Sequence, residues 1–145
     1  MSAVRTVLLS VLMMTAVACS NVVGSGDGVV DEDEVPGVGW FAELDTLAHD
    51  VSGTAVIVDE DTIEIEDFVY DGGGLNARFF LLADGAEFDR DIELTDNLVG
   101  SPSDGQTLTL TIPNGVAFDE WNFITLWCIP AGVSFGEGVF EPPVL

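Results

Sequence analysis

The chain has no lysine and only three arginines, against 26 acidic residues, for a formal net charge of −23 over 145 residues. Nothing in it can neutralise a run of phosphates, which excludes nucleic acid as a partner, and an anionic lipid surface repels it. Histidine is nearly missing: His49 stands alone. The three methionines, Met1, Met13 and Met14, all lie in the first fourteen residues, inside what reads below as a cleaved leader. Bis-His and His/Met ligation of haem within the mature chain are therefore excluded. Five-coordinate haem on His49 is the one haem arrangement left open. Two cysteines, Cys19 and Cys128, form no CxxC pair, so neither thioredoxin chemistry nor covalent haem attachment is indicated, and zinc lacks enough nitrogen or sulfur ligands. No catalytic constellation shows in the spacing of the remaining residues. Compact acidic domains without lysine suit a saline environment, where salt screens their self-repulsion; an envelope protein that is simply acidic fits as well.

What is present begins with a leader. Arg5 supplies a positive start, Val7 to Met14 a short apolar stretch, and Ala16 and Ala18 small residues ahead of a cysteine. The apolar stretch is too short to span a bilayer. The sequence Ala-Val-Ala-Cys-Ser at 16–20 resembles the lipobox of bacterial lipoproteins, with Ala16 where leucine is usual. That resemblance implies removal of residues 1–18, acylation of Cys19 and a lipid bilayer as partner. Two or more acyl chains hold a protein stably where one does not. The implied location is the cell envelope, lipid-anchored at the outer membrane's periplasmic face or the cell surface. Residues 19–38 form an acidic, flexible linker, rich in glycine and serine and carrying the self-repelling Asp31 to Glu34 block. A flexible linker of this length reaches about 23 Å.

From Gly39 onward the pattern is that of strands. Val51 to Val58 and Thr62 to Tyr70 flank a tight acidic turn, and Ile63 and Ile65 alternate with Glu64 and Glu66. Ala77 to Ala83 is strongly apolar. Residues 84–105 are mostly loop, with a short strand at Ile92 to Leu94. Gln106 to Ile112 alternates leucine or isoleucine with threonine, and Pro-Asn-Gly at 113–115 is a turn. Residues 121–129, Trp-Asn-Phe-Ile-Thr-Leu-Trp-Cys-Ile, read as a central strand buried on both faces, and Ser134 to Phe140 adds a last one. The expectation is one all-β domain over 39–145, an antiparallel sandwich or a barrel-like form of it. The acids around the 59–61 turn offer a candidate calcium site, with Asp59, Asp61 and Asp67 as ligands, although a solvated edge is the commoner explanation for such a cluster.

Two blocks, His49 to Gly74 and Leu108 to Gly136, together resemble the DM-thirteen domain, the Skeletor-type "electron transfer" domain. The positions that carry the likeness are His49, Gly53, Thr54, Asp67, Phe68, Tyr70, Asp71, Gly72, Trp127, Cys128, Phe135 and Gly136. The resemblance implies a β-sandwich, often carried on bacterial lipoproteins, with a redox role inferred from its cysteine rather than a defined enzyme activity. Leu75-Asn76 and Ile129 to Gly132 depart from the family pattern, and the second departure alters the loop beside Cys128.

Cys128 is then the candidate redox residue. Its neighbours Leu126, Trp127 and Ile129 are apolar and the domain is strongly negative, so the sequence predicts a buried thiol with a raised pKa. Serine there is expected to destabilise more than alanine, because a hydroxyl enters an apolar site. The functional expectation is an envelope lipoprotein acting as a redox accessory through Cys128 with an unknown protein or redox partner. The alternative is a non-catalytic binding or structural sandwich, with calcium dependence as a variant of it.

Overall fold

Strict alternation of apolar and polar residues makes one face of a strand dry and the other wet, so two such sheets bury each other's dry faces. The computed structural model does this, and it describes residues 36–83, 88 and 91–144. The leader, Cys19 and most of the linker lie outside the described residues. Nine antiparallel strands follow in order: β1 Phe41–Glu43, β2 Asp45–Thr46, β3 Ser52–Asp59, β4 Thr62–Tyr70, β5 Ala77–Leu82, β6 Asp91–Glu93, β7 Ser103–Thr111, β8 Phe123–Cys128 and β9 Val133–Val139. One sheet has the order β1-β3-β4-β7 and the other β2-β9-β8-β5-β6. The two remain separate sheets, so the fold is a sandwich and no barrel closes. Among the described residues no helix is long and apolar enough to cross a membrane.

Strand β8 is the middle of the five-stranded sheet, paired with β5 on one side and β9 on the other. Its inward residues Ile124, Leu126 and Cys128 are buried in the core. Its outward face is covered as well: Trp127 lies 4.1 Å from the ring of Phe88, which also meets Phe80 edge-on. Thr125 is buried, and its hydroxyl is hydrogen-bonded to that of Ser134 at 2.9 Å. Strand β7, at the edge, shows the opposite design. Leu110 and Ile112 are buried while Thr107, Thr109 and Thr111 stay exposed, which keeps the edge polar.

The alternation along β4 is broken once. Ile63 and Ile65 point inward, and the next inward residues are Phe68 and Tyr70, so parity shifts between them. The register with β7 slips at this place, and Asp67 takes a left-handed φ of 50°. This is a β-bulge, in which one extra residue turns every following side chain to the other face. Gly53 on β3 makes room for it with φ 140°: a Cβ there would come within 2.8 Å of the Glu66 carbonyl oxygen. Without the bulge Tyr70 would face water. With it, Phe68 packs edge-on against Phe79 of the opposite sheet, and Tyr70 is buried.

The register defines two poles. At one lie the 59–61 hairpin, the entry of the chain at Gly39, which donates to the Ile57 carbonyl, and its exit at Glu141, which bridges Phe41. At the other lie His49, the loop from Asp71 to Asn76, and Cys128, paired with Ala77 and Val133.

Candidate functional site

The second pole gathers most of the candidates. Between β2 and β3 the chain makes a tight reversal. His49 and Asp50 both hold left-handed backbones, φ 56° and 58°. Such a conformation costs about 1–2 kcal/mol for a residue with a Cβ. It persists here because both ends are gripped. The N–H groups of Leu47 and Ala48 donate to the Phe135 carbonyl at 3.0 and 2.9 Å, and the N–H of Asp71 donates to the His49 carbonyl at 3.1 Å.

The imidazole is gripped too. Its Nδ1 lies 3.0 and 3.1 Å from the two carboxylate oxygens of Asp71, and the ring centre is 4.2 Å from that of Phe135. Asp71 Oδ1 also accepts the Gly73 N–H at 2.6 Å. The Gly73 N–H, most of all, and His49 after it hold the Asp71 carboxyl below the usual carboxylate range. A side chain at position 73 would run into the His49 ring, which accounts for the glycine.

Tyr70 follows from the bulge. Its hydroxyl donates to the Gly73 carbonyl at 2.5 Å. Burial, then the negative charge of Asp71 and that of an ionised Cys128, push its pKa up to about 12. Tyr70 therefore senses both the carboxylate and the thiol.

Cys128 is buried, with 1% of its surface accessible, as the sequence predicts. Its acidity is not as predicted. Burial is the largest single influence and pushes the thiol up. The backbone N–H groups of Leu75, Asn76 and Ala131 donate to the sulfur and together outweigh burial, so the net direction is down from 9.0. Apolar side chains beside the cysteine say nothing about backbone donors, two of them from a loop some fifty residues away and one from Ala131, which is why the predicted direction fails. The same donors reverse the expected order of substitutions. Alanine removes their acceptor and serine supplies a new one, so alanine is the more damaging change.

Asp59, Asp61 and Asp67 do not come together. Asp67 sits at the bulge, roughly 15 Å along β4 from the hairpin at ordinary strand rise. Asp59 Oδ1 accepts the Asp61 N–H at 3.1 Å, and Asp61 Oδ1 accepts the Thr62 hydroxyl at 2.9 Å. These carboxylates serve their own turn. Among the described residues no group of three or more histidine, cysteine, aspartate or glutamate side chains is placed to hold a metal, so the three-ligand calcium expectation is corrected.

Two of the clefts, of about 430 and 290 Å³, are lined by residues such as Phe41, Phe123 and Glu137 in one and Glu60 and Asn114 in the other, and His49 lines neither of these two.

Sequence reasoning assigned no role to Tyr70, Asp71 or Phe135. Tyr70 is the sole tyrosine, and Asp71 opens a run of three glycines; those are the signals that mark them. Several positions that carried the family likeness meet in space: His49 touches both Asp71 and Phe135, Asp71 and Cys128 both act on Tyr70, and Gly53 and Asp67 form the bulge that turns Tyr70 inward.

Comparison with known proteins agrees. Residues 43–139 match the family described as "Electron transfer DM13". Two relatives from Drosophila melanogaster, Protein Skeletor isoforms B/C and isoforms D/E, are each 32% identical over 109 residues. The match covers 70% of this chain but only 14% and 7% of those two proteins, so the chain spans a small part of their length. No solved structure matches.

Proposed function

We propose, on the premise that this chain belongs to the DM13 electron-transfer family, that it is a lipid-anchored envelope protein whose domain serves as a redox accessory through Cys128. The observation that carries the reading is the sulfur itself. Burial raises its pKa, but backbone N–H groups of Leu75, Asn76 and Ala131 lower it further than burial raises it, so the net direction is down from the ordinary value.

At 1% exposure the sulfur reacts, with an oxidant or with a thiol, only when the segments around it move aside. A peroxide suits: the sulfur attacks one oxygen, the S–O bond forms, the O–O bond breaks, and the leaving oxygen takes a proton. Sulfur loses the two electrons that the peroxide gains, leaving a sulfenic acid. A thiol of a partner then condenses with it, forming a mixed disulfide and releasing water, and a second thiol returns Cys128 to its reduced state.

The test is hydrogen peroxide followed by glutathione, read by intact-mass and peptide mass spectrometry on folded protein at neutral pH. A single glutathione on Cys128 is expected. A thiol that stays unmodified until denaturant is added overturns the redox reading. It favours the second one, a non-catalytic structural or binding lipoprotein, which the burial of Cys128 supports. Anchoring through acylated Cys19 is tested separately. Cys19→Ala should move the protein from the membrane fraction to the soluble one, and unchanged fractionation defeats the anchor.

A further inference from the structure

A sheet edge offers a row of N–H and C=O groups to any strand that can lie beside it, and folds close their edges by keeping them short or charged. Three of the four edges of this sandwich are closed in both ways. Strands β1, β2 and β6 are three, two and three residues long, and they carry Glu43, Asp45, and Asp91 with Glu93. Strand β7 is the fourth edge. It runs nine residues, Ser103–Thr111, and pairs with β4 alone among the described strands. From Gly105 to Phe118 the chain holds no charged residue, although its net charge is −23.

The open groups can be assigned. The Ile112 N–H donates to the Asp61 carbonyl at 2.7 Å, on the β4 side. Backbone groups of an antiparallel strand alternate between its two sides, so those of Leu108 and Leu110 face β4 and those of Thr107, Thr109 and Thr111 face away. All three threonines are exposed, and Leu108 is only partly buried. Before them the edge is already occupied: Gln106 Oε1 accepts the Asp104 N–H at 2.7 Å. The open segment is therefore 107–111, Thr-Leu-Thr-Leu-Thr, which reads the same in both directions about Thr109. We propose that this edge pairs with the same edge of a second copy of the chain, antiparallel and two-fold about Thr109.

In that register Thr109 faces Thr109, and Thr107 faces Thr111 from either side, each pair exchanging two N–H···O bonds. Threonine opposite threonine is a favourable cross-strand pair. On the inner face Leu108 comes to lie beside Leu110 of the second copy, so a partly buried leucine is covered, and the two four-stranded sheets become continuous. Charge selects the partner. A basic foreign strand is drawn to the acidic edges, whereas an uncharged, self-complementary edge suits a body that carries the same negative charge. The register sets no carboxylate against another: Asp104 meets Asn114. The pairing is independent of the redox reading of Cys128.

Sedimentation velocity measures the dimer, and residue-resolved amide exchange at low and high protein concentration locates it. Association should tighten about tenfold between roughly 0.1 and 1 M sodium chloride, as the screening length falls from about 10 to about 3 Å. The amides of Thr107, Thr109 and Thr111 should exchange more slowly as concentration rises. Thr109→Pro removes an N–H that faces away from β4, so the ladder within the sheet stays intact. It should weaken the dimer about tenfold or more, because symmetry makes the loss count twice. Thr109→Glu sets two carboxylates face to face at the centre and should do the same without a backbone change. Thr46→Glu, on the β2 edge, should leave association as it is. A protein that stays monomeric at millimolar concentration in high salt overturns the proposal. So does a dimer that survives in folded Thr109→Glu, that forms without protecting the three amides, or that Thr46→Glu weakens equally.

Discussion

The two poles of the sandwich use the same residue type in opposite ways. At the hairpin pole, Asp59 and Asp61 bond to groups one or two residues away. At the thiol pole, Asp71 bonds to a histidine 22 residues earlier and, with Cys128 of the other sheet, raises the pKa of the buried Tyr70. A carboxylate that caps its own turn shapes only that turn. A carboxylate that joins distant segments fixes where several loops sit relative to one another. Density of acidic residues is therefore a poor guide to a site in a chain this acidic; the span of each carboxylate's contacts is the better one.

The widest separation between the poles should come from glycine substitutions. Gly53→Ala places a Cβ against the Glu66 carbonyl and the Phe68 backbone and should cost on the order of 3 kcal/mol, because backbone rather than a flexible side chain must yield. Gly115→Ala at the hairpin pole meets nothing within 4 Å and should cost about 1 kcal/mol, for its positive φ alone. Denaturant midpoints measure both, and equal costs would break the comparison. Next in size is Cys128. Alanine should cost about 2 kcal/mol and serine about 1, since only alanine leaves the Leu75, Asn76 and Ala131 donors without an acceptor. The reverse order would restore the view of Cys128 as a small apolar filler.

The gentlest probe changes no residue. Tyr70 is the only tyrosine, so phenolate absorbance reports it alone. Its midpoint should lie near 12 in the folded protein and near 10 in denaturant. The folded value is raised, so the stability linked to the neutral phenol is complete below pH 10 and is lost as pH rises through 12. Asp71 has the opposite sign. Its folded pKa is lowered, so its share is present above the ordinary 3.8 and disappears as pH falls through the folded value. A native tyrosine midpoint near 10 would place Tyr70 in water and remove it from the site.

The strands were legible because period-two alternation is a local property. Leu108, Leu110 and Ile112 against their threonines, and the doubly covered 123–128 strand, could be assigned from neighbours alone. Strands β1 and β2 were not placed individually, because three and two residues carry no period. The sheet change between them, at buried Leu44, is a tertiary event. The candidate site was half legible. Cys128 and His49 stand out by rarity, whereas the roles of Tyr70 and Asp71 depend on a parity shift at Asp67 that no alternation rule foresees. The misjudged thiol shares that cause in part: two of the three backbone groups that lower its pKa, those of Leu75 and Asn76, belong to another part of the chain.

The chain enters the sandwich beside Ile57 and leaves it beside Phe41, both at the hairpin pole. Strand β8 alone carries the backbone about 17 Å from Phe123 to Cys128, at roughly 3.4 Å per residue. If the domain is anchored ahead of Gly39 and Cys128 is its redox residue, as proposed above, the point of attachment and the thiol belong to opposite poles of the sandwich, and a change in the length of the connecting segment should leave the chemistry of Cys128 as it is.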